Sequence, residues 1–170
     1  MQMKIKHIFI SFVVAVFFPL AVTAQMGKDI GLVCLNPYIP ENEELEAQAS
    51  SMLTSKLQQI ATANGMSGAG FDNRFIITAH VQKLQVSQTQ TFPQKTTVHL
   101  NVGIYVGDGL DGTLYSSYAC EVKGIGNNED QAMAAAIRKV NPMQQDLQEA
   151  IVKGKKMILE YYDKMSGNII

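Results

Sequence analysis

Three short stretches carry residue types that could do chemistry. In GIGNNEDQAMAAAI (residues 124–137) two glycines follow an apolar strand pattern and lead into a helical one, the layout of a loop that holds a phosphate at a helix N-terminus. Glu129, however, occupies the third glycine position of the dinucleotide fingerprint, and with Asp130 it would put two carboxylates where the phosphate must sit. That fingerprint also needs a βαβ unit, whereas only helical patterns follow here. The stretch points to a mechanical role instead. Its glycines permit a tight strand-to-helix turn, Asn127 or Asn128 caps the helix, and the small residues from Ala132 to Ala136 let that helix approach the sheet closely.

GMSGAG (65–70) nearly spells the nucleophile elbow of serine hydrolases. Ala69 stands where the closing glycine belongs, and a helix precedes it where the elbow needs a strand, so Ser67 is given no catalytic role. GDGLDG (107–112) offers Asp108 and Asp111 to calcium. Position twelve counted from Asp108 is Ala119 rather than glutamate, and a Gly/Asp hairpin turn accounts for the stretch. With no HExxH, GxSxG, CxxC or P-loop, the usual hydrolytic and transfer chemistries lack their parts. The expectation is a protein that is not an enzyme and holds no cofactor.

The histidines raise a separate question. His80 and His99 lie in two alternating segments, FIITAHV and TVHLNVGIYV, which read as the arms of a hairpin. A turn centred near Thr89-Gln90 would make opposed residue numbers sum to about 179, so that His80 and His99 face each other on the polar side of the sheet. Two imidazoles there could share zinc or copper. A stable site needs further ligands, and Thr78, Gln82, Thr97 and Asn101 are poor ones, so no metal is assigned. A small-ligand or metal-binding protein centred on His80 and His99 stays as the alternative reading.

These residues are positioned by a simple run of elements. IGLVCLN (30–36) is an apolar run suited to a buried strand, ended by PYIP. Residues 41–64 follow with Leu45, Ala49, Met52, Leu53, Leu57 and Ile60 at helical spacing; Glu41, Glu43 and Glu44 crowd the start and Asn64-Gly65 the end. Three strands then form a meander. Phe75, Ile77, Ala79 and Val81 point inward from the first, and Val98, Leu100, Val102, Ile104 and Val106 from the second. In the third, from about Thr113 to Ile125, the inner set is Leu114, Ser116, Tyr118, Cys120 and Val122. An alanine-rich helix and a longer one from Asp146 to about Lys164 close the chain. The order β-α-β-β-β-α-α defines an α+β two-layer sandwich: a mainly antiparallel four-stranded sheet with helices packed on one face. The other face, carrying Thr78, His80, His99, Asn101 and Tyr105, is left to dock a partner.

The first 24 residues read as an address. Lys4 and Lys6 precede the uncharged run Ile8–Val22, and Val22-Thr23-Ala24 offers the small residues a signal peptidase reads, so cleavage is expected after Ala24. The expected product is periplasmic or secreted, one α+β domain over residues 25–165 with residues 166–170 as a tail, and no integral membrane segment once the signal is gone. Without Lys4 and Lys6 the 14 basic residues fall to 12 against 15 acidic, a net charge of −3, and Arg74 and Arg138 are the only arginines. Nucleic acid is a poor partner for such a surface. Cys34 and Cys120 would meet an oxidising compartment after export. A disulfide between them would close a loop of about 85 residues and stabilise the fold by roughly 3–5 kcal/mol. Two small buried hydrophobes are the alternative.

Two signatures together, GLVCLNPYIP after the signal and VKGIGNNEDQAMAAAI…ILEYY near the end, resemble a family of secreted or periplasmic α+β proteins from gut Gram-negative bacteria. The resemblance spans nearly the whole chain after the signal, and it implies a final helix that continues beyond Ile170. More distantly, the element order and the G-x-G-x-N…A…AI pattern resemble modules of the curli-secretion and Tol-translocation N-terminal type. That likeness implies a non-catalytic adaptor of the cell envelope acting through protein–protein contacts. It implies no catalytic residues. The lipid-anchoring cysteine common in the curli type is absent at the cleavage point, so outer-membrane attachment is not carried over.

Overall fold

The structure is a computed structural model that describes residues 33–68, 73–90 and 92–167. The proposed signal and its cleavage point lie outside those residues. Among the described residues seven elements appear in chain order: β1 (Asn36–Tyr38), α1 (Ala47–Ala63), β2 (Phe75–Gln88), β3 (Thr96–Asp108), β4 (Leu114–Gly126), α2 (Glu129–Arg138) and α3 (Gln145–Gly167). They build the expected α+β sandwich, with one sheet of order β1-β2-β3-β4. β1 runs parallel to β2, and β2, β3 and β4 are antiparallel.

Alternation on β3 is what the whole arrangement hangs from. Val98, Leu100, Val102, Ile104 and Val106 are buried beneath the helices, while Thr97, His99, Asn101 and Tyr105 on the opposite face are only partly covered. The helices meet that inner face with matching stripes: Leu53, Leu57 and Ile60 from α1, Ile137 from α2, and Leu147, Ile151 and Ile158 from α3. Burying large aliphatic side chains of this kind stabilises the fold by about 1.5–3 kcal/mol each.

Several boundaries differ from the sequence reading, each for a tertiary reason. β1 forms at Asn36–Tyr38, later than the run at 30–36, and contains Pro37; an edge position tolerates a residue without an N–H. α1 starts at Ala47 rather than Glu41, and no acidic residue lies in its first turn. Its C-terminus is as expected, with Asn64 at the cap and Gly65 at φ 71°. On β4 the register slips between Val106 and Gly107, so Val106 faces Ser116 and Gly107 faces Leu114. The slip leaves Leu114, expected inside, exposed, and turns Tyr115 inward against the Phe75 ring at 6.1 Å between centroids.

The glycines of the 124–137 stretch also act differently from a turn. Gly124 and Gly126 belong to β4, and among the described residues only Gly65 and Gly112 have positive φ. Their role is close approach. A Cβ on Gly124 would lie 2.0 Å from the Ala132 carbonyl oxygen, and one on Gly126 would lie 2.4 Å from the Ala132 nitrogen.

Candidate partner-binding face

All three helices lie on the inner side, so the outer face of β2, β3 and β4 carries no helix among the described residues. The register decides what stands beside what on that face. Thr78 opposes Tyr105, His80 opposes Gly103, and Gln82 opposes Asn101. Beyond a bulge between Lys83 and Gln85, His99 opposes Gln85.

His80 and His99 are therefore not partners. Gly103, which faces His80, is four residues from His99 on β3, a separation of about 13 Å along the strand. Two physical causes shift the register. The connection spans residues 89–95 rather than turning at Thr89-Gln90, and the bulge inserts an extra residue, Leu84. Each histidine has its own carboxylate instead. His80 Nδ1 meets Glu43 Oε1 at 2.5 Å, and His99 Nε2 meets Glu121 Oε2 at 2.9 Å. Among the described residues no group of three or more His, Cys, Asp or Glu could hold a metal ion.

Glu43 was invisible as a site residue in the sequence, where it read as part of a helix start. Its carboxylate is almost fully buried; besides His80 it accepts the backbone N–H of Val81 at 3.2 Å. It thus ties the segment before α1 to the edge of β2 where β1 has already ended. No local pattern could reveal a contact 37 residues away in sequence.

Tyr105 and Thr78 form the shaped part of the face. The Tyr105 ring lies along its own strand over Gly103, so close that a Cβ there would be 2.6 Å from the phenol oxygen. Beside it is a shallow cavity of about 240 Å³ bounded by Ile76, Thr78, Tyr105, Gly107, Thr113 and Leu114. The Thr78 hydroxyl is buried there without a hydrogen-bond partner. Asn101 lies further along the face and His80 at its side, both reachable from solvent.

The turn below the cavity is held by charge. Asp108, fully buried, accepts from Arg74 Nε at 2.6 Å and from the Leu110 N–H at 2.9 Å. Asp111 accepts from the Thr113 N–H at 2.8 Å, and hydrogen bonds from Thr113 followed by the nearby Arg74 charge hold its carboxyl below the usual range. Both carboxylates are engaged in hairpin-turn chemistry, as the Gly/Asp composition suggested.

The cysteines are far apart. Cys34 lies just before β1 and Cys120 lies on β4, at opposite edges of the sheet with β2 and β3 between them, and both are free thiols. A bridge needs Cα atoms within about 7 Å, which two intervening strands prevent. Burial pushes the Cys120 thiol up, away from reactivity.

No family model matches the chain, and no curated protein does. Solved structures similar to it include a minor lipoprotein from Acinetobacter baumannii, 14% identical, covering 75% of this chain and 94% of that one with a TM-score of 0.41. Another is a protein of the DUF330 family from Xanthomonas campestris, 10% identical, covering 79% of this chain and 88% of that one with a TM-score of 0.40. Among the described residues no helix is long and apolar enough to cross a membrane.

Proposed function

We propose that this chain is a non-catalytic, exported binding or adaptor module of the bacterial cell envelope, working through protein–protein contacts on its outer sheet face. The observation that carries the reading is the pairing of Thr78 with Tyr105 beside a cavity on a face that no described helix covers. A tyrosine and a threonine beside a shallow hollow suit a protruding side chain from another protein better than a reacting small molecule. His80, His99 and Asn101 would form the polar surround. The expected signal through Ala24 supports a periplasmic or secreted location.

The test is crosslinking in the native envelope, with a photoreactive phenylalanine analogue placed at Leu114, exposed at the rim of the cavity, in tagged full-length protein. The reading expects one protein partner at comparable amount, lost when Tyr105→Ala or Asn101→Ala is introduced while the thermal midpoint stays within a few degrees of wild type. No crosslinked protein from that position, with the tagged chain free and monomeric, would overturn it.

A further inference from the structure

β4 is the last strand of the sheet. β3 pairs with one side of it from Leu114 to Gly126, and among the described residues no strand pairs with the other. On such a strand every second residue turns its N–H and C=O toward the open side, a template for another chain. The protein treats its exposed strands unequally. Beyond β1, β2 is blunted by the bulge at Leu84 and by the Glu43 carboxylate on the Val81 N–H. β4 has no proline, and its register against β3 is unbroken from Ser116 to Gly126.

The residues along β4 are complementary to themselves. Ser117, Ala119, Glu121, Lys123 and Ile125 are exposed, while Tyr118, Cys120 and Val122 are half-buried against the core. Place a second β4 antiparallel with a two-fold axis at Val122. Glu121 then faces Lys123 twice, Ala119 faces Ile125 twice, and Val122 meets its own copy. Ile125, 62% exposed, gains an apolar cover. Moving the axis to Cys120 sets Glu121 against Ala119 and brings the two Glu121 carboxylates onto neighbouring diagonals, losing both charge pairs. Glu121 uses Oε2 for His99 and is 64% exposed, so it can serve a second cation.

We infer that a second copy of this chain docks on β4, antiparallel about Val122, continuing the sheet across a two-fold axis into eight strands. The contact is isologous and closed, with both copies' helices on the same side. It uses the strand edge, whereas the partner proposed above uses the Tyr105 cavity, so either can fail without the other.

Sedimentation of the purified chain over a concentration series tests it. A monomer–dimer equilibrium is expected, with Lys123→Glu weakening it roughly tenfold or more through like charges opposed at both pairs. The double variant Glu121→Lys with Lys123→Glu should restore it, because each pair is rebuilt with its signs exchanged. A third variant fixes the register: Val122→Cys in a Cys120→Ser background should crosslink to its own copy on mild oxidation, and Cys120 in the wild type should not. A chain that stays monomeric into the millimolar range, or a dimer indifferent to Lys123→Glu, overturns the proposal. Oxidative crosslinking through Cys120 overturns the Val122 register.

Discussion

The carboxylate of Asp130, on the first turn of α2, accepts the backbone N–H of Ala49 at 2.8 Å and that of Gln48 at 3.2 Å. α1 needs this help because its own N-cap, Glu46, makes no side-chain cap. α2 caps itself through Asn128, which accepts the Gln131 N–H at 2.9 Å. The acidic pair that argued against a phosphate is thus committed elsewhere: Asp130 to α1 and Glu129 to Lys83 of β2 at 2.8 Å. The first N–H groups of a helix have no acceptors within it, and here one helix supplies them for the other.

Asp130→Ala should therefore cost about 1 kcal/mol, the usual loss of an N-cap acceptor. Asp130→Asn keeps one acceptor oxygen and should recover part of it. Urea unfolding midpoints decide the point. If Asp130→Ala matched wild type, the contact between the helices would contribute nothing.

Gly124→Ala should be far more damaging than its size suggests. The added methyl would meet the Ala132 oxygen at 2.0 Å, the Ala136 nitrogen at 2.4 Å and the Ala136 Cα at 2.9 Å, all backbone atoms. No side chain can swing aside, so α2 must lift from the sheet as a body. The expected loss is about 3 kcal/mol, or failure to fold. Gly167→Ala, with open space around it, is the control and should be neutral. A Gly124→Ala protein with an unchanged melting temperature would show that α2 has freedom to move.

What the sequence made legible follows from how far each signal reaches. Period-two alternation on β3 and the helical spacing of Ala49, Leu53, Leu57 and Ile60 on α1 are local, and both are seen as read. Register is not local. It depends on the true length of the β2–β3 connection and on the bulge at Leu84, neither of which leaves a residue pattern, and the His80–His99 pairing failed with it. Glu43 was misread for the same reason. A glutamate before a helix looks like a complement to the helix dipole, and only the fold shows that it has turned into the β2 edge. The outer face itself was legible, because polar residues opposite a buried set must point somewhere.

Tyr118 gives the fold a sensitivity to alkali. Burial, followed by the neighbouring Cys120, pushes its phenol up to about 12. An unfolded tyrosine releases its proton near pH ~10. Between those values the folded chain holds a proton that the unfolded chain has lost, so stability is fully present below about pH 10 and falls as pH rises toward the folded value. The urea midpoint of wild type should drop across that window more steeply than that of Tyr118→Phe. Parallel curves would mean that the phenol titrates normally.

Arg74 and Asp108 form the contact whose loss should cost most among the polar ones. The Asp108 side chain is fully buried, and the Arg74 side chain is 25% exposed. Arg74 Nε donates at 2.6 Å, and the resulting hydrogen bond is the main reason that the guanidinium pKa is raised. The same guanidinium lies over the Tyr161 ring at 4.2 Å, tying the start of β2 to the far end of α3, where Phe75 also packs edge-on against Tyr161 and Tyr162. Arg74→Ala strands a buried carboxylate and removes the cation–π contact, so it should be the most destabilising of these variants. Arg74→Lys restores the charge without the planar fork that stacks and hydrogen-bonds together, and should fall in between. Asp108→Asn should cost less than Arg74→Ala, because the charge left behind is partly solvated and has Asp111 at 3.7 Å as a second carboxylate. Denaturant unfolding of the three variants gives the order directly. If Arg74→Ala came within about 0.5 kcal/mol of wild type, the range of ordinary surface changes, Asp108 would have to draw its stabilisation from the backbone N–H groups of its own turn.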